Sequence, residues 1–413
     1  MISFVHTADT HFGVENYGKV DSKTGLHSRL TDFKNSFDLI IDFAIDKKVD
    51  FFLFCGDAYK TAYPTPTQQK LFLQCLMRLY NAKIPVVIIV GNHDNPLSFG
   101  KANSLDVFNS LPLNGFHVFS KPDILELDTK NGSVQIVGIP WPTRNNLITS
   151  EEHKLKNAKE ITDYLSNSVG SIIQNFAQKL NPEIPAILAG HLTVSTGVFS
   201  GSEKCAIFGN DPLFLPSQLA VEPFDYVALG HLHRHQNLNP SGQIPVVYSG
   251  SPERIDFGER KEEKGFCFVK INPSKKYQVV YEFIKLKTRP MIQIEVELEK
   301  VGDQTEQILE KIKETDLTDA IVKIVYHLLQ DKSDKIDLYE IHRACSKSLL
   351  VVSITPVRKM ETREKRVELK VDMNLKTMLE KYLNEKKDLK LNKDEMIKRA
   401  LELHDELNGI ETI

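Results

Sequence analysis

Five cysteines are all that the 413 residues contain (Cys55, Cys75, Cys205, Cys267 and Cys345), and none are spaced as Cys-x-x-Cys. An odd, scattered set argues against a disulfide framework and against a thiolate metal site. Three of the five lie inside apolar or amphipathic runs, the usual setting of a buried free thiol. Charge of one sign is also missing: the formal net charge is −3. No global basic field is there to attract a polyanion, so any such binding must rest on a local patch or on metal ions. No apolar run approaches membrane-spanning length. The N-terminus has no basic stretch followed by an apolar one, so no signal peptide is expected and the protein is expected in the cytoplasm. No internal repeat or low-complexity tract stands out.

What remains is a composition of 41% hydrophobic and 26% charged residues, that of a soluble globular protein. The length is too great for one ordinary core and predicts two or three domains. Residues 1–285 alternate β-rich runs with amphipathic stretches. Apolar residues at Phe33, Phe37, Ile40, Ile41 and Ala44 predict a helix over Thr31–Lys47. Leu71, Phe72, Cys75, Leu76 and Leu79 do so over Thr67–Tyr80, with Pro64 and Pro66 as start signals. Val86–Val90 and Ala186–Ala189 are almost wholly apolar, as expected of strands covered on both faces. Pro245–Tyr248, Gly265–Ile271 and Gln278–Phe283 follow closely on one another, as in an antiparallel sheet. The expected class is α/β, a layered β-sandwich flanked by helices.

From about Pro290 the pattern resets. Met291–Leu298, Ala320–His327 and Leu349–Thr355 read as strands, and Gln304–Glu314 and Asp337–Lys347 as helices. This β-α-β-α-β unit is assigned to 286–356, followed by a charged linker at 357–371. Two amphipathic helices are expected within 372–413. Leu375, Met378, Leu379, Tyr382 and Leu383 form the stripe of one, and Ile397, Ala400, Leu401 and Leu407 that of the other, which opens on a capping box at Asn392 and Glu395. So short a helix pair is weakly stable alone, and its stripes are expected to dock on something.

The chemistry is concentrated in five short motifs: Asp9-Thr10-His11, Gly56-Asp57, Gly91-Asn92-His93-Asp94, Gly190-His191 and Gly230-His231-Leu232-His233. Each begins where a predicted strand stops, which places all five at the carboxyl end of a sheet, where α/β proteins bind ligands. Any one of them alone could be an ordinary turn. Together they bring imidazole nitrogen, carboxylate oxygen and amide oxygen to one rim, with no sulfur, a donor set suited to Mn, Fe, Zn or Ni. Two such ions roughly 3.5–4 Å apart would clamp a phosphate and supply hydroxide near neutral pH. A carboxylate shared between them is then required, and Asp57 is the best candidate.

This series resembles the calcineurin-like metallophosphoesterase superfamily. Within it, residues 6–13 (His6-Thr7-Ala8-Asp9-Thr10-His11-Phe12-Gly13) and the Tyr-Ser-Gly-Ser-Pro-Glu-Arg-Ile-Asp-Phe-Gly-Glu stretch at 248–259 resemble the SbcD-type DNA double-strand-break repair nucleases. The resemblance covers nearly the whole chain. It implies one metal ion, most simply Mn²⁺, on Asp9, His11, Asp57 and His233, and a second on Asp57, Asn92, His191 and His231. It implies that His93 stabilises the transition state and protonates the leaving 3′ oxygen, with Asp94 fixing the His93 tautomer. It further implies 3′→5′ exonuclease action on duplex ends and endonuclease action at single strands and hairpins. A capping role for 286–356, a homodimer formed near the helix at 67–80, and docking of 372–413 on an SbcC-like ABC-type coiled-coil ATPase follow in the same way. One departure is that Lys60 stands where the family often has histidine; it is either a phosphate contact or a solvated side chain. Ser249, Gly250 and Ser251 are candidates to offer backbone amides to phosphate, and Arg254 to meet the DNA backbone or a carboxylate such as Asp256. His235 is expected as an exposed rim residue. Two alternatives stay open: a phosphoesterase for small phosphodiesters, and a tether that binds DNA ends without cutting.

Overall fold

The computed structural model describes residues 1–96, 101–110, 113–143, 158–201, 211–299, 302–329, 333–359, 375–385 and 393–410. Asn392 and Cys205, and most of the linker expected at 357–371, lie outside them. The strands in chain order are β1 (Ile2–Thr7), β2 (Phe51–Phe54), β3 (Val86–Ile89), β4 (Phe116–Phe119), β5 (Asp123–Thr129), β6 (Gly132–Ile139), β7 (Ala186–His191), β8 (Thr193–Val194) and β9 (Leu213–Phe214). Then come β10 (Tyr226–Gly230), β11 (Gln236–Asn237), β12 (Val246–Tyr248), β13 (Gly265–Ile271) and β14 (Val279–Lys285). Two six-stranded sheets result, in the orders β14-β13-β1-β2-β3-β4 and β11-β12-β10-β7-β6-β5. β1 to β4 run parallel, as do β6, β7, β10 and β12.

The sheets stack face to face, and the all-apolar strands are explained by what lies on each side. Phe4, Phe51, Leu53 and Val87 of the first sheet meet Ile136, Ile187, Ala189 and Tyr226 of the second in a buried layer. Alternate residues of the first sheet, Val5, Phe52, Phe54 and Val86, point outward onto Phe33, Phe37, Phe72 and Leu76. Those side chains belong to α1 (Ser28–Lys47) and α2 (Pro66–Asn81). The second sheet turns Val137, Leu188, Val227 and Leu229 onto the helix Ala158–Lys179 through Val169 and Ile173. The layers are therefore helix, sheet, sheet, helix, as the patterning predicts.

α1 begins three residues before the periodic stretch because His27 caps it, its ring accepting from Arg29 N–H. α2 begins at Pro66 behind a capping box made by Thr65 and Gln68. One strand differs from expectation. β13 and β14 are antiparallel, but Val246–Tyr248 is a parallel strand of the other sheet beside β10. The chain crosses between sheets after Tyr248, through the Ser249–Glu259 stretch, and closeness in sequence does not reveal that crossing.

The later unit consists of β15 (Met291–Glu297), the helix Gln304–Lys313, β16 (Ile321–Leu329), the helix Leu338–Ala344 and β17 (Leu350–Lys359). Its strands form a parallel three-stranded sheet, and its core joins Ile294, Ile308, Ile312, Ile324 and Ile341. β17 runs on through residues 357–359, which the charge pattern assigns to the linker. The unit is tied to the large body in two ways. Met291 and Ile321 bury against Phe257, and Arg289 makes a two-pronged ion pair with Asp32, at 2.7 Å to each oxygen. The helices Leu375–Glu385 and Lys393–Ile410 pack on each other, burying Leu383 and Ile397.

Candidate metal centre

Parallel strands bring the motifs to one rim. β1, β2 and β3 of the first sheet lead into Asp9, Asp57 and Asn92, while β7 and β10 of the second end on His191 and Gly230, next to His231. The segments after β1 and β2 continue to bond to each other: Asp9 N–H to Gly56 O, His11 N–H to Asp57 O and Phe12 N–H to Ala58 O. Along this path Asp9, His11 and Asp57 have φ of 58°, 43° and 59°, and His231 has 106°. Left-handed backbone costs a non-glycine residue on the order of 1–3 kcal/mol and persists only where surrounding bonds enforce it. Strain at four expected ligands makes this rim the candidate site. The close approach also explains two glycines: a Cβ on Gly91 would lie 2.1 Å from Asp57 Oδ1, and one on Gly56 2.3 Å from His191 Nδ1.

All seven sequence-expected ligands converge. His11 Nε2 lies 3.1 Å from His233 Nε2 and 3.6 Å from Asp57 Oδ2. On the other side of Asp57, His191 Nε2 lies 3.4 Å from the same Oδ2 and 2.9 Å from Asn92 Oδ1, and His231 Nδ1 is 3.2 Å from Asn92 Oδ1. Ligand atoms of Asp9, His11 and His233 lie within 4.8 Å of one another, as do those of Asp9, Asp57 and His191. One oxygen of Asp57 thus faces His11 on one side and His191 on the other.

The donor set fits cations. His191 Nδ1–H donates to the Cys55 carbonyl at 2.7 Å, so Nε2 is left to face the oxygens of Asn92 and Asp57. His233 Nδ1 is taken by Glu259 Oε1 at 2.8 Å, so its Nε2 faces His11 Nε2. Acceptors converging on acceptors need a positive charge between them. Protons can do part of this work. Burial pulls the His191 imidazolium down, but Asp57, Asp9 and the Cys55 carbonyl outweigh it and raise the pKa to about 9. Burial would likewise raise Asp57, yet His191, His93 and His11 hold it well below the usual carboxylate range. Asp9 is pushed up to about 7, because burial exceeds the pull of His191 and His233. Of these two carboxylates, Asp57 is the one that keeps its charge. Burial drives His11 and His231 well below the ordinary histidine value, so both are neutral and free to ligate.

His93 stands at the edge, 34% exposed, with Nε2 4.0 Å from Asp57 Oδ2 and its ring edge-on to His11. Its Nδ1 is held by the Lys60 carbonyl at 2.8 Å. Asp94 therefore does not fix this tautomer, contrary to expectation. The Asp94 carboxylate is fully buried and accepts backbone N–H groups of Asp57 (2.8 Å), Ala58 (3.0 Å), Tyr59 (3.3 Å) and Gly91 (3.1 Å). It pins the Asp57 loop to the Asn92 loop. Burial, then the neighbouring Asp57 charge, pushes its pKa up to about 7 against the pull of those amides.

The expected phosphate contacts fare differently. Ser249 N–H and Ser251 N–H are bonded to the Leu229 and His233 carbonyls, and both side chains are buried. Gly250 is wedged against the His233–His235 backbone, where a Cβ would come within 2.7 Å of His235 N. This turn is packing rather than an anion nest. Arg254 is bonded to Thr288 and to the Arg289 and Glu262 carbonyls, so it braces the junction with the later unit instead of facing a ligand or Asp256. His235 is not an exposed rim residue: its ring stacks on Phe283 at 4.1 Å and its Nδ1 meets the Tyr248 carbonyl. Lys60 has an exposed side chain, and its charge bears on His11.

Two contributors escape the motif reading. Trp141, the sole tryptophan, packs its ring on His231 at 4.9 Å and beside His191 at 6.0 Å. It follows β6 just as the motifs follow their strands, and that position is the signal that could have found it. Glu259, the partner of His233, closes the quoted stretch that ends at 259, but nothing in that stretch shows that its carboxylate meets a histidine 26 residues away.

Residues 2–235 match the model of the calcineurin-like phosphoesterase family. The chain is 24% identical over 404 residues to the SbcD subunit of the SbcCD nuclease of Bacillus subtilis, covering 97% of each. It is 28% identical over 319 residues to that of Staphylococcus epidermidis, covering 76% of this chain and 75% of the relative. Among solved structures, a dimetal phosphatase from Danio rerio shares 12% identity over 68% of this chain and 95% of its own, with a TM-score of 0.41. With the motifs in order and their side chains gathered at one rim, the chain belongs to the calcineurin-like phosphoesterase family.

Proposed function

We propose that this chain is the two-metal DNA nuclease subunit of a double-strand-break repair complex. The observation that carries this reading is the similarity to the SbcD subunit of an SbcCD nuclease along 97% of both chains, beyond the phosphoesterase region itself. Asp9, His11, Asp57 and His233 would hold one ion and Asp57, Asn92, His191 and His231 the other, most simply Mn²⁺. When bound, the ions supply a hydroxide nucleophile and neutralise phosphate charge.

Hydrolysis adds a water oxygen to phosphorus and releases the 3′ oxygen, which must take a proton. With Nδ1–H of His93 given to the Lys60 carbonyl, Nε2 is the nitrogen that gains and gives the proton, and it faces the space above Asp57. Trp141 shields His231 from one side. Lys60 adds positive charge beside His93 and His11, where a phosphate would enter. The activities proposed are 3′→5′ exonuclease on duplex ends and endonuclease on single strands and hairpins, in the cytoplasm. Among the described residues no helix is long and apolar enough to cross a membrane.

The partner proposed is an SbcC-like ABC-type ATPase docked on 372–413. Met396 and Leu403, at 41% and 45% exposure, remain on the outside of the helix pair and are available to such a partner. Two copies would pair through the outer face of α2, since its inner face is committed to the core. The test uses Mn²⁺ and linear or hairpin duplex DNA beside bis-nitrophenyl phosphate. His93→Ala is expected to keep both ions and lose DNA cleavage, and deletion of 372–413 to abolish co-purification with the ATPase. Wild-type-like cleavage by the first variant, or an intact complex with the second, refutes the corresponding part. Turnover of the small diester without any DNA cleavage would favour a small-substrate phosphoesterase.

A further inference from the structure

We propose that Glu259, backed by Lys264, is a positioning residue that locks His233 in the tautomer able to hold a metal ion. The inference rests on the metal reading above and extends it to two residues outside the motifs. Glu259 is fully buried, and both of its oxygens are committed. Oε1 lies 2.8 Å from His233 Nδ1. Oε2 accepts from Lys264 Nζ at 2.8 Å and from Ile255 N–H at 2.9 Å. Lys264, itself buried, also reaches the His233 carbonyl and Ser251 Oγ at 3.0 Å and Glu262 Oε2 at 3.2 Å.

A carboxylate ringed by donors can only accept. Lys264 Nζ and Ile255 N–H both aim at Oε2, which leaves Oε1 as the acceptor that faces His233. In the singly protonated form that a metal ion requires, the His233 proton therefore sits on Nδ1, and Nε2 carries the lone pair, 3.1 Å from His11 Nε2. Lys264 grips both ends of this arrangement, the carboxylate and the backbone carbonyl of the histidine it orients. The seat is rigid from behind as well. Glu259 closes the short 3-10 turn Phe257–Glu259, and Phe257 is packed with Met291 and Ile321 of the three-stranded sheet. Outer partners of this kind typically change metal affinity 10- to 100-fold when removed.

Glu259→Gln discriminates. With its oxygen toward His233, the amide NH₂ faces the Lys264 ammonium and Ile255 N–H, donor against donor. With the amide reversed, NH₂ meets His233 Nδ1 and drives the ring proton to Nε2, removing the ligating lone pair. Mn²⁺ binding to metal-free protein is measured by calorimetry, with the signal of free Mn²⁺ read by electron paramagnetic resonance. The expected result is two sites in the wild type, and in Glu259→Gln one of them weakened about 10- to 100-fold with the other within about threefold. Should that variant not fold, long-range ¹H–¹⁵N spectra of histidine-labelled, metal-free wild type at pH 8 decide: the His233 proton is expected on Nδ1. Unchanged affinity at both sites, equal loss at both, or a His233 proton on Nε2 overturns the inference. Wild-type protein that binds no Mn²⁺ would instead overturn the metal reading beneath it.

Discussion

Asp94→Asn separates two ways in which a buried carboxylate could serve this site. In the structure Asp94 Oδ2 accepts from Asp57 N–H and Gly91 N–H, and Oδ1 from Ala58 N–H and Tyr59 N–H. Asparagine keeps one oxygen, so whichever way it turns, two of the four bonds are lost and an NH₂ is pressed against two N–H groups. Hydrogen bonds to a charged acceptor contribute about 1.5–3 kcal/mol each, so the gross loss is about 3–6 kcal/mol. Part returns, because the native carboxylate is fully buried beside Asp57, and burial with that repulsion raises its pKa to about 7. A rise of that size from the ordinary carboxylate value offsets about 4 kcal/mol of that loss. The expected net change in metal-free stability is therefore small, no more than about 2 kcal/mol either way, read as the urea midpoint in EDTA with unchanged m. Because Asp57 carries the loop that Asp94 pins, affinity at both metal sites should fall together. Were Asp94 instead the orienting partner of His93, the variant would keep metal affinity and stability and lose only turnover. Unchanged Mn²⁺ binding at both sites would refute the loop-pinning role.

Two further outcomes are expected. Gly230→Ala places a Cβ 2.0 Å from the Cys55 carbonyl oxygen and 2.7 Å from Ala8 Cβ, on backbone of the opposite sheet that cannot yield cheaply. A loss of about 3 kcal/mol, at the upper end of overpacking, should appear as a lower melting temperature with weakened Mn²⁺ binding, and a variant as stable as wild type would show that the sheets are not in contact there. His6, between the sheets and bonded to Tyr226 OH and the Leu229 carbonyl, is lowered to about 3 by burial. Between pH 6.5 and about 3 the unfolded chain binds a proton that the folded one refuses, so His6 removes about 1.4 kcal/mol of stability per pH unit as pH falls. Urea titrations in EDTA at about pH 7.5 and about pH 5.5, on either side of the ordinary histidine value, should show His6→Gln losing less stability than wild type over that interval; equal losses would mean that His6 titrates normally.

Much of the site was legible because metal ligands are short motifs whose residue types are few and whose places, at strand ends, follow from hydrophobic runs. Asp9, His11, Asp57, Asn92, His191, His231 and His233 all meet in the structure. Supporting contacts were not legible. Asp94 adjoins His93 in sequence, yet its carboxylate turns away to four amides, because most of the N–H groups needing an acceptor belong to a loop more than 30 residues distant. Arg254 and Ser251 carry side chains suited to phosphate, but neighbouring carbonyls and Lys264 had already claimed them. His235 continues an alternation of histidines, and only the stacking of Phe283 from the antiparallel β14 shows that the alternation ends.

The amino-acid sequence by itself determined the order of elements, the strands buried on both faces, and the identity of the groups able to hold cations. Those are properties of local periodicity and side-chain chemistry. The tertiary structure decided which sheet each late strand joins, which of two nitrogens on His191, His233 and His93 faces the rim, and which carboxylate carries charge. A tautomer or a pKa depends on what stands within hydrogen-bonding reach, and in this chain those partners, the Cys55 and Lys60 carbonyls and the Glu259 carboxylate, come from other segments.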